Sequence, residues 1–279
     1  MRAAARACGA SWRGSRAVAR GVMVASLAAV AFGCSSAHLA GVHNSGGEQQ
    51  RDQAPQPWQV AVHQEDELAV RIRRQIGRSV DGRKLWVYHW GDPDSSRSLL
   101  VVGCIHGNET AGIAVARLVI RGRPAGESNV WVIPDLNPDG VIAGTRQNAD
   151  GVDLNRNFRY RWRPLGRRGT PYYAGSAPLS EPESRAVARF ILRVRPSVSI
   201  WFHQPYGVVD QSGGSLSLER RFARLVGLPL ERLPRYPGSA STWQNHQLPG
   251  STAFVVELPS LALTRSAVRR YAEAVTDLA

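Results

Sequence analysis

Two histidines and a glutamate stand where the chain leaves apolar segments, and their side chains suit a metal ion. His106 and Glu109 lie three residues apart in CIHGNE, at the end of the apolar run 99–105. His203 follows the apolar run 197–202. A hydrolytic Zn²⁺ uses three such protein ligands and keeps one position open. The alternative is structural, because a His-x-x-Glu pair often arises by chance and a histidine ending a strand is commonly hydrogen-bonded.

Polar, glycine-containing segments follow the next apolar strand and offer groups that bind anions. They are NPDG (137–140), TRQN (145–148) and GVDLNRNF (151–158). Arg146 and Arg156 carry planar guanidinium groups that match a carboxylate, and Asn155 adds neutral donors. One arginine can hold a substrate carboxylate while the other stabilises the oxyanion of a tetrahedral intermediate. The alternative is a pair of solvated loop arginines in an arginine-rich chain.

A lone acid closes a further apolar segment. Glu257 stands near the end of AFVVEL (253–258), before Pro259. A carboxylate in this position is poorly solvated unless it faces a site. Beside a metal, it can take a proton from the bound water and deliver it to a leaving amine. The alternative is a salt bridge to one of the many arginines.

Apolar periodicity predicts the elements that position these residues. Strands are predicted over 68–76, 84–90, 99–105, 130–133, 197–202 and 253–258. Helices are predicted over 109–120, over 180–195 and around 268–278. Asp81-Gly82 predicts a hairpin turn, and Ser180 with Glu183 predicts a capping box. Alternating strands and helices indicate an α/β sheet covered on both faces, with sites at the carboxyl ends of its strands.

Length and composition exclude several classes of protein. The chain has 279 residues and 43% hydrophobic content, enough for a buried core and too apolar for a mostly disordered chain. Three cysteines without a Cys-x-x-Cys pair exclude a disulfide scaffold and a cysteine zinc knuckle. The net charge of +13 favours anionic surroundings such as the lipid and wall of a cell envelope. No nucleic-acid partner is expected, because the arginines are scattered and form no basic stripe.

The beginning of the chain is predicted to be an export signal. Residues 1–20 are arginine-rich and acid-free, and residues 21–33 form a short apolar run. Cys34 follows in VAFGCSS, which resembles an imperfect lipoprotein cleavage box. The expected segments are a signal peptide (1–33), a polar tether (34–65) and a catalytic domain (66–279). We expect a membrane lipoprotein anchored through Cys34 and facing outward, or a secreted protein; an uncleaved anchor is the alternative.

Taken in order, these motifs resemble those of the zinc carboxypeptidases. The resemblance covers roughly residues 70 to 279 and is carried by all the motifs above in combination. It implies a three-layer α/β/α sandwich around a mixed, mostly parallel sheet. It also implies one Zn²⁺ per chain, held by His106, Glu109 and His203, with Glu257 activating the metal-bound water.

The resemblance also assigns the anion-binding groups. Arg146 matches the arginine that polarises the scissile carbonyl. Asn155 and Arg156 match the pair that binds the terminal carboxylate of a peptide substrate. Tyr236, in RYPGSASTW upstream of Glu257, lies in about the place of the family's mobile tyrosine.

Within that family, the chain looks more like a compact bacterial branch similar to murein peptide amidases. The HGNE and ELP motifs and the short interval between His203 and Glu257 carry this likeness. Such enzymes cut the γ-D-glutamyl–diaminopimelate bond of cell-wall peptides, so an exported hydrolase of an amide bond next to a free carboxylate is expected. The alternatives are a general zinc carboxypeptidase, a deacylase similar to aspartoacylases and succinylglutamate desuccinylases, and an inactive wall-binding lipoprotein.

Overall fold

The computed structural model of the chain describes residues 72–92, 95–122, 129–260 and 262–279. The predicted signal peptide (1–33), the tether (34–65) with Cys34, and the first residues of the catalytic domain lie outside this range. None of the described helices has both the length and the apolar character that a bilayer crossing requires.

The described residues form eight strands, six α-helices and one short 3₁₀-helix. The strands are β1 (Ile72–Arg78), β2 (Lys84–Trp90), β3 (Ser98–Val102), β4 (Asn129–Ile133), β5 (Val198–His203), β6 (Tyr206–Asp210), β7 (Leu230–Glu231) and β8 (Thr252–Pro259). The helices are α1 (Ala111–Arg121), α2 (Pro138–Ala143), α3 (Pro182–Val194), α4 (Leu216–Val226), α5 (Ala240–Gln247) and α6 (Arg265–Leu278). The 3₁₀-helix spans Leu154–Arg156.

All eight strands belong to one mixed sheet, in the order β1-β2-β4-β3-β5-β8-β6-β7. The central strands β4, β3, β5 and β8 run parallel to one another. Antiparallel pairs lie towards the two edges: β1 with β2, β2 with β4, and β6 with β8. Every residue of β3 and β4 is buried, as expected of strands covered on both faces.

Two apolar cores lie on opposite faces of this sheet, because alternate side chains of a strand point to opposite sides. Leu99 and Val101 of β3 join the core under α1, α4 and α6. Leu100 and Val102 join the core under α3 and α5. These layers confirm the predicted three-layer α/β/α sandwich and its mixed sheet. The predicted hairpin turn is confirmed too: Gly82 has φ +79° between β1 and β2.

The start of α3 differs from its prediction. The predicted capping box of Ser180 and Glu183 does not form, because Pro182 begins the helix and Glu181 is the N-cap without a side-chain capping bond. Glu183 instead accepts a hydrogen bond from the Val80 backbone at 2.9 Å. The carboxylate therefore holds α3 against the β1–β2 turn.

Two other boundaries bear on the site. Strand β3 ends at Val102, three residues before its predicted end, and α1 begins at Ala111 rather than at 109. Residues 103–110 are thus a loop at the carboxyl edge of the sheet, closed by a bond from Glu109 N to His106 O of 2.9 Å. Six of the described elements had no sequence prediction: α2, α4, α5, β6, β7 and the 3₁₀-helix.

Candidate metal centre and substrate cleft

The three predicted metal ligands meet at the carboxyl ends of β3 and β5. One candidate ligand atom from each lies within 4.8 Å of the others, and all three residues are buried. His106 Nδ1 is 2.9 Å from Glu109 Oε1, and His203 Nδ1 is 3.0 Å from Glu109 Oε2. The two Nδ1 atoms are 3.1 Å apart.

This arrangement fits a bound cation. Three groups with lone pairs, the two Nδ1 atoms and the Glu109 carboxylate, face one another. Two neutral rings place at most one hydrogen between their Nδ1 atoms, so a cation between the three groups would satisfy the remaining lone pairs. Burial lowers the pKa of His203, which favours the neutral ring that a metal ligand requires. Two imidazoles and one carboxylate are the ligands of a catalytic Zn²⁺ that keeps one position open.

Asp153 and Arg146 fix the ligands from behind. Asp153 Oδ1 lies 3.1 Å from His106 Nε2, so a proton on Nε2 leaves Nδ1 free to bind a metal. Arg146 donates from Nε to Asp153 Oδ2 and from Nη1 to Glu109 Oε1, each at 2.9 Å. Burial alone would raise the pKa of Asp153, but His106 and Arg146 hold it below its ordinary value. The network stays ionised and ordered.

The NPDG segment supports the site rather than binding substrate, which corrects its interpretation as a carboxylate binder. Asn137 caps α2 by accepting from Gly140 N at 3.0 Å, and its Nδ2 donates to the carbonyls of Ile105 and Arg146. A side chain at Gly107 would clash with the Gly140 backbone. Gly107 therefore lets the HGNE loop and α2 pack in direct contact.

Arg156 and Asn155 lie on the 3₁₀-helix beside the cluster. Asn155 Oδ1 accepts from Ala240 N at 2.8 Å, and its Nδ2 is 3.4 Å from His203 Nε2. Arg156 is 4% exposed and donates from Nη1 to the Asn155 carbonyl at 2.8 Å. Its buried Nε has no partner among the described residues. Burial lowers the pKa of Arg156, and a buried guanidinium with an unpaired N–H calls for an acceptor such as an anionic ligand.

Two tyrosines border this arginine. The Tyr236 ring centroid lies 4.2 Å from Arg156 Cζ, and the Tyr172 centroid lies 5.8 Å from the same atom. Both rings are about half exposed. Gly238 has φ +72°, and a side chain there would strike the Arg156 carbonyl. The glycine lets the Tyr236 loop lie directly against the 3₁₀-helix.

Glu257 stands on β8 directly opposite His203 of β5 in the parallel register. It is buried, and its Oε2 has no partner within the described part of the chain. Burial, helped by the charge of Glu109, raises its pKa to about 7. The carboxyl group thus exchanges a proton near neutral pH, and the predicted alternative of an arginine salt bridge is not observed among the described residues.

All eight predicted site residues line one cleft of about 310 Å³. They are His106, Glu109, Arg146, Asn155, Arg156, His203, Tyr236 and Glu257. The sequence reasoning missed five contributors: Asp153, Tyr172, Gln204, Asp210 and Arg235. Asp153 and Gln204 stand beside predicted residues and were detectable there. Nothing in the sequence pattern distinguishes the other three.

A dication-binding cluster beside a buried, protonatable carboxyl group in an open cleft is the arrangement of a metal-dependent hydrolase. The zinc carboxypeptidase family matches residues 61–209, and the chain belongs to that family. Zinc is accordingly the cofactor, as predicted, and the His–Glu–His cluster is able to hold one ion.

Several relatives share most of the chain. Murein peptide amidase A of Vibrio campbellii is 36% identical over 202 residues, which are 67% of this chain and 79% of that protein. The crystal structure of murein-tripeptide amidase MpaA from Escherichia coli O157 superposes with a TM-score of 0.60 at 30% identity, covering 74% of this chain and 90% of that one. Bovine thrombin-activatable fibrinolysis inhibitor shares the fold, with a TM-score of 0.66 at 19% identity, over 79% and 92% of the two chains.

Proposed function

We propose that the protein is an exported zinc-dependent peptidase that hydrolyses an amide bond next to a free carboxylate, in murein peptides. The observation that carries this proposal is the buried Arg156, which lines the cleft of the metal cluster and whose Nε has no hydrogen-bond partner among the described residues. It supports a substrate that ends in a carboxylate near the bond to be cut. The likeness to murein peptide amidases supports the cell-wall substrate.

His106, Glu109 and His203 would hold the Zn²⁺, which would act as a Lewis acid towards water and the scissile carbonyl. Glu257 takes the proton of the attacking water at its unpaired Oε2 and passes it to the leaving amine. Its pKa of about 7 suits both transfers near neutral pH. The carboxyl group faces the cleft, so neither transfer needs a backbone rearrangement.

Arg146 and Arg156 each stabilise a different negative charge, the oxyanion and the terminal carboxylate of the substrate. Arg146 contacts Glu109 and lines the cleft, so its guanidinium lies beside the place where the oxyanion develops. Arg156 and Asn155 hold the terminal carboxylate, which carries its charge throughout. Tyr236 packs on the Arg156 guanidinium and borders that end of the cleft.

The test is to incubate the zinc-loaded protein with the murein tripeptide L-Ala-γ-D-Glu-diaminopimelate and with ordinary C-terminal peptides, identifying products by mass. We expect release of diaminopimelate from the tripeptide and much slower cleavage of the ordinary peptides. Chelator-treated protein and His203→Ala are the controls and should release nothing. Preferred cleavage of the ordinary peptides would establish a general carboxypeptidase instead.

Export and anchoring are supported by the sequence pattern of residues 1–34. We expect Cys34→Ser to release the protein from the membrane fraction or to block its processing. Cys8→Ser, a cysteine in the arginine-rich beginning of the predicted signal, is the matched control and should leave both unchanged. Mature protein that begins well after Cys34 and is recovered in the soluble fraction would reject the lipid anchor while leaving export intact.

A further inference from the structure

A third arginine, Arg235, lines the cleft beside Arg146 and Arg156 and has no part in the mechanism above. Its partner is Asp210, the last residue of β6, which is 2% exposed. Asp210 Oδ2 lies 2.6 Å from Arg235 Nη1 and accepts from Ser212 Oγ at 2.7 Å. Asp210 Oδ1 accepts from Leu233 N at 2.9 Å. Both oxygens are therefore occupied, and Asp210 is not itself available to a substrate.

Arg235, by contrast, is held in place but keeps hydrogen-bonding capacity. It donates from Nη1 to Asp210 and from Nη2 to the Gln211 carbonyl. A guanidinium has five N–H groups, so three remain beyond these two contacts. The side chain is 31% exposed and forms part of the cleft wall. A braced, partly exposed guanidinium is well suited to bind a carboxylate.

The Asp210–Arg235 pair lies near Glu257 on one side and near the residues around Arg156 on the other. Strand β6 pairs with β8 so that Val208 lies opposite Glu257, and the Val255 backbone donates to Ser212 Oγ at 3.1 Å. The Asp210 brace therefore lies two residues along β8 from Glu257. On its other side, Arg235 adjoins Tyr236, whose ring packs on Arg156.

We propose that Arg235, braced by Asp210, binds a second carboxylate, carried at the end of the side chain of the amino acid that leaves. The inference rests on the proposed function, in which Arg156 holds the α-carboxylate of that same amino acid. Diaminopimelate is lysine with a carboxylate added to its ε-carbon, so it offers this second anion and lysine does not. A lysine side chain would bring only an ammonium towards the guanidinium, and like charges repel.

Two tripeptides that differ only in this carboxylate test the proposal: L-Ala-γ-D-Glu-diaminopimelate and L-Ala-γ-D-Glu-L-Lys. The measured quantity is the ratio of their kcat/KM values. We expect the wild type to favour diaminopimelate by roughly ten- to a hundredfold, the usual contribution of charge-assisted hydrogen bonds. In Arg235→Gln the ratio should fall close to one.

Arg221→Gln is the matched control, because Arg221 also pairs with an aspartate, Asp277, but at an exposed position outside the cleft. It should keep the wild-type ratio. Arg235→Gln leaves the buried Asp210 without its cation, which can destabilise the fold. The double variant Asp210→Asn/Arg235→Gln removes both charges, and its melting temperature and zinc content show that it is folded. A folded double variant that retains the wild-type ratio overturns the proposal.

Calorimetry separates this inference from the proposed function. Free diaminopimelate and free lysine are titrated into the zinc-loaded wild type and into both Arg235 variants. Tighter binding of diaminopimelate, lost in the variants, supports the Arg235 site even if neither tripeptide is cleaved, in which case the proposed reaction fails alone. Equal binding of the two amino acids by the wild type overturns the Arg235 site even if the tripeptide is cleaved.

Discussion

The cleft has a metal end, around Glu109, and a substrate end, around Arg156, and the two ends differ in how fully their polar groups are hydrogen-bonded. At the metal end, the carboxylate of Glu109 is contacted by His106, His203, Arg146 and the Gln204 backbone, all between 2.9 and 3.1 Å. At the substrate end, the Nε of Arg156 has no partner among the described residues. Tyr236 and Tyr172 beside it are 48% and 54% exposed.

The difference shows which groups are organised before substrate arrives. A buried, fully paired network holds its geometry without a ligand, whereas a buried group without a partner gains most when a ligand supplies one. Substitutions at the metal end are therefore expected to change metal binding and kcat. Substitutions at the substrate end are expected to change KM.

The largest expected effect comes from Glu257, whose Oε2 has no partner in the described part of the chain. Glu257→Gln keeps the shape of the side chain but cannot accept a proton, so kcat should fall by about a hundred- to ten-thousandfold. Zinc content, measured by elemental analysis, should stay at the wild-type level. A variant within threefold of wild-type kcat would show that another group transfers the proton.

Substitutions of Arg146 and Arg156 should change different kinetic constants, which compares the two ends of the cleft directly. Arg146→Ala removes charge beside the proposed position of the oxyanion and should lower kcat by roughly a hundred- to a thousandfold. Arg156→Ala removes a contact to a charge present in both ground and transition states, so it should mainly raise KM. Arg156→Lys should restore little, because an ammonium lacks the bidentate fork.

Steady-state kinetics on substrates with free and with amidated C-termini test these separate roles of Arg146 and Arg156. The KM difference between the Arg156 variant and the wild type should shrink when the terminal carboxylate is amidated. Identical profiles from the Arg146 and Arg156 variants, with no dependence on the terminal charge, would contradict the comparison between the two ends.

The sequence predicted the metal end well because its residues sit at the ends of strongly apolar strands. His203 follows the buried residues 199–202 and Glu257 follows the apolar residues 253–256, and strand-end position in an α/β sheet is itself informative. The NPDG segment was misinterpreted because a polar glycine-rich motif has the same composition whether it binds substrate or packs a loop. Only the contacts of Asn137 with Ile105 and Arg146 distinguish the two.

The substrate end was predicted less completely because it is assembled from distant segments. Asp210 and Arg235 are 25 residues apart and meet only through the pairing of β6 with β8 and β7. Neither β6 nor β7 was predicted, since β7 is an edge strand of two residues and β6, next to it, lacks a continuous apolar run. In an arginine-rich chain, no local pattern separates Arg235 from its solvated counterparts.

A smaller effect is expected from the residue that orients a ligand without touching the metal. Asp153→Asn removes the charge behind His106 Nε2 and should weaken zinc affinity by about ten- to a hundredfold. Chelator competition measures this change. Asp150→Asn, at an exposed position in the same loop, is the matched control and should bind zinc as the wild type does. Unchanged affinity in Asp153→Asn would mean that the His106 ring is oriented by packing alone.

The smallest expected effect concerns the stability of the metal-free protein. The folded-state pKa of Glu257, about 7, lies above its ordinary value of 4.5. Between these values the folded chain binds more protons than the unfolded chain, so the stability from this group is lost as pH rises through the folded pKa. Glu257→Gln removes that loss, because its amide stays neutral in both states.

Relative to the wild type, Glu257→Gln should therefore gain about 1–2 kcal/mol of unfolding free energy between pH 5 and about pH 6.5. Urea unfolding in the presence of chelator measures the gain. Glu273→Gln, on the exposed face of α6, is the control and should show no such pH dependence. A constant difference between Glu257→Gln and the wild type at both pH values would mean that Glu257 is already ionised in the folded, metal-free cleft. Glu257 would then be charged before zinc binds. It would resemble Arg156, the charged group at the substrate end, and the two ends would differ less in how they hold their unpaired groups.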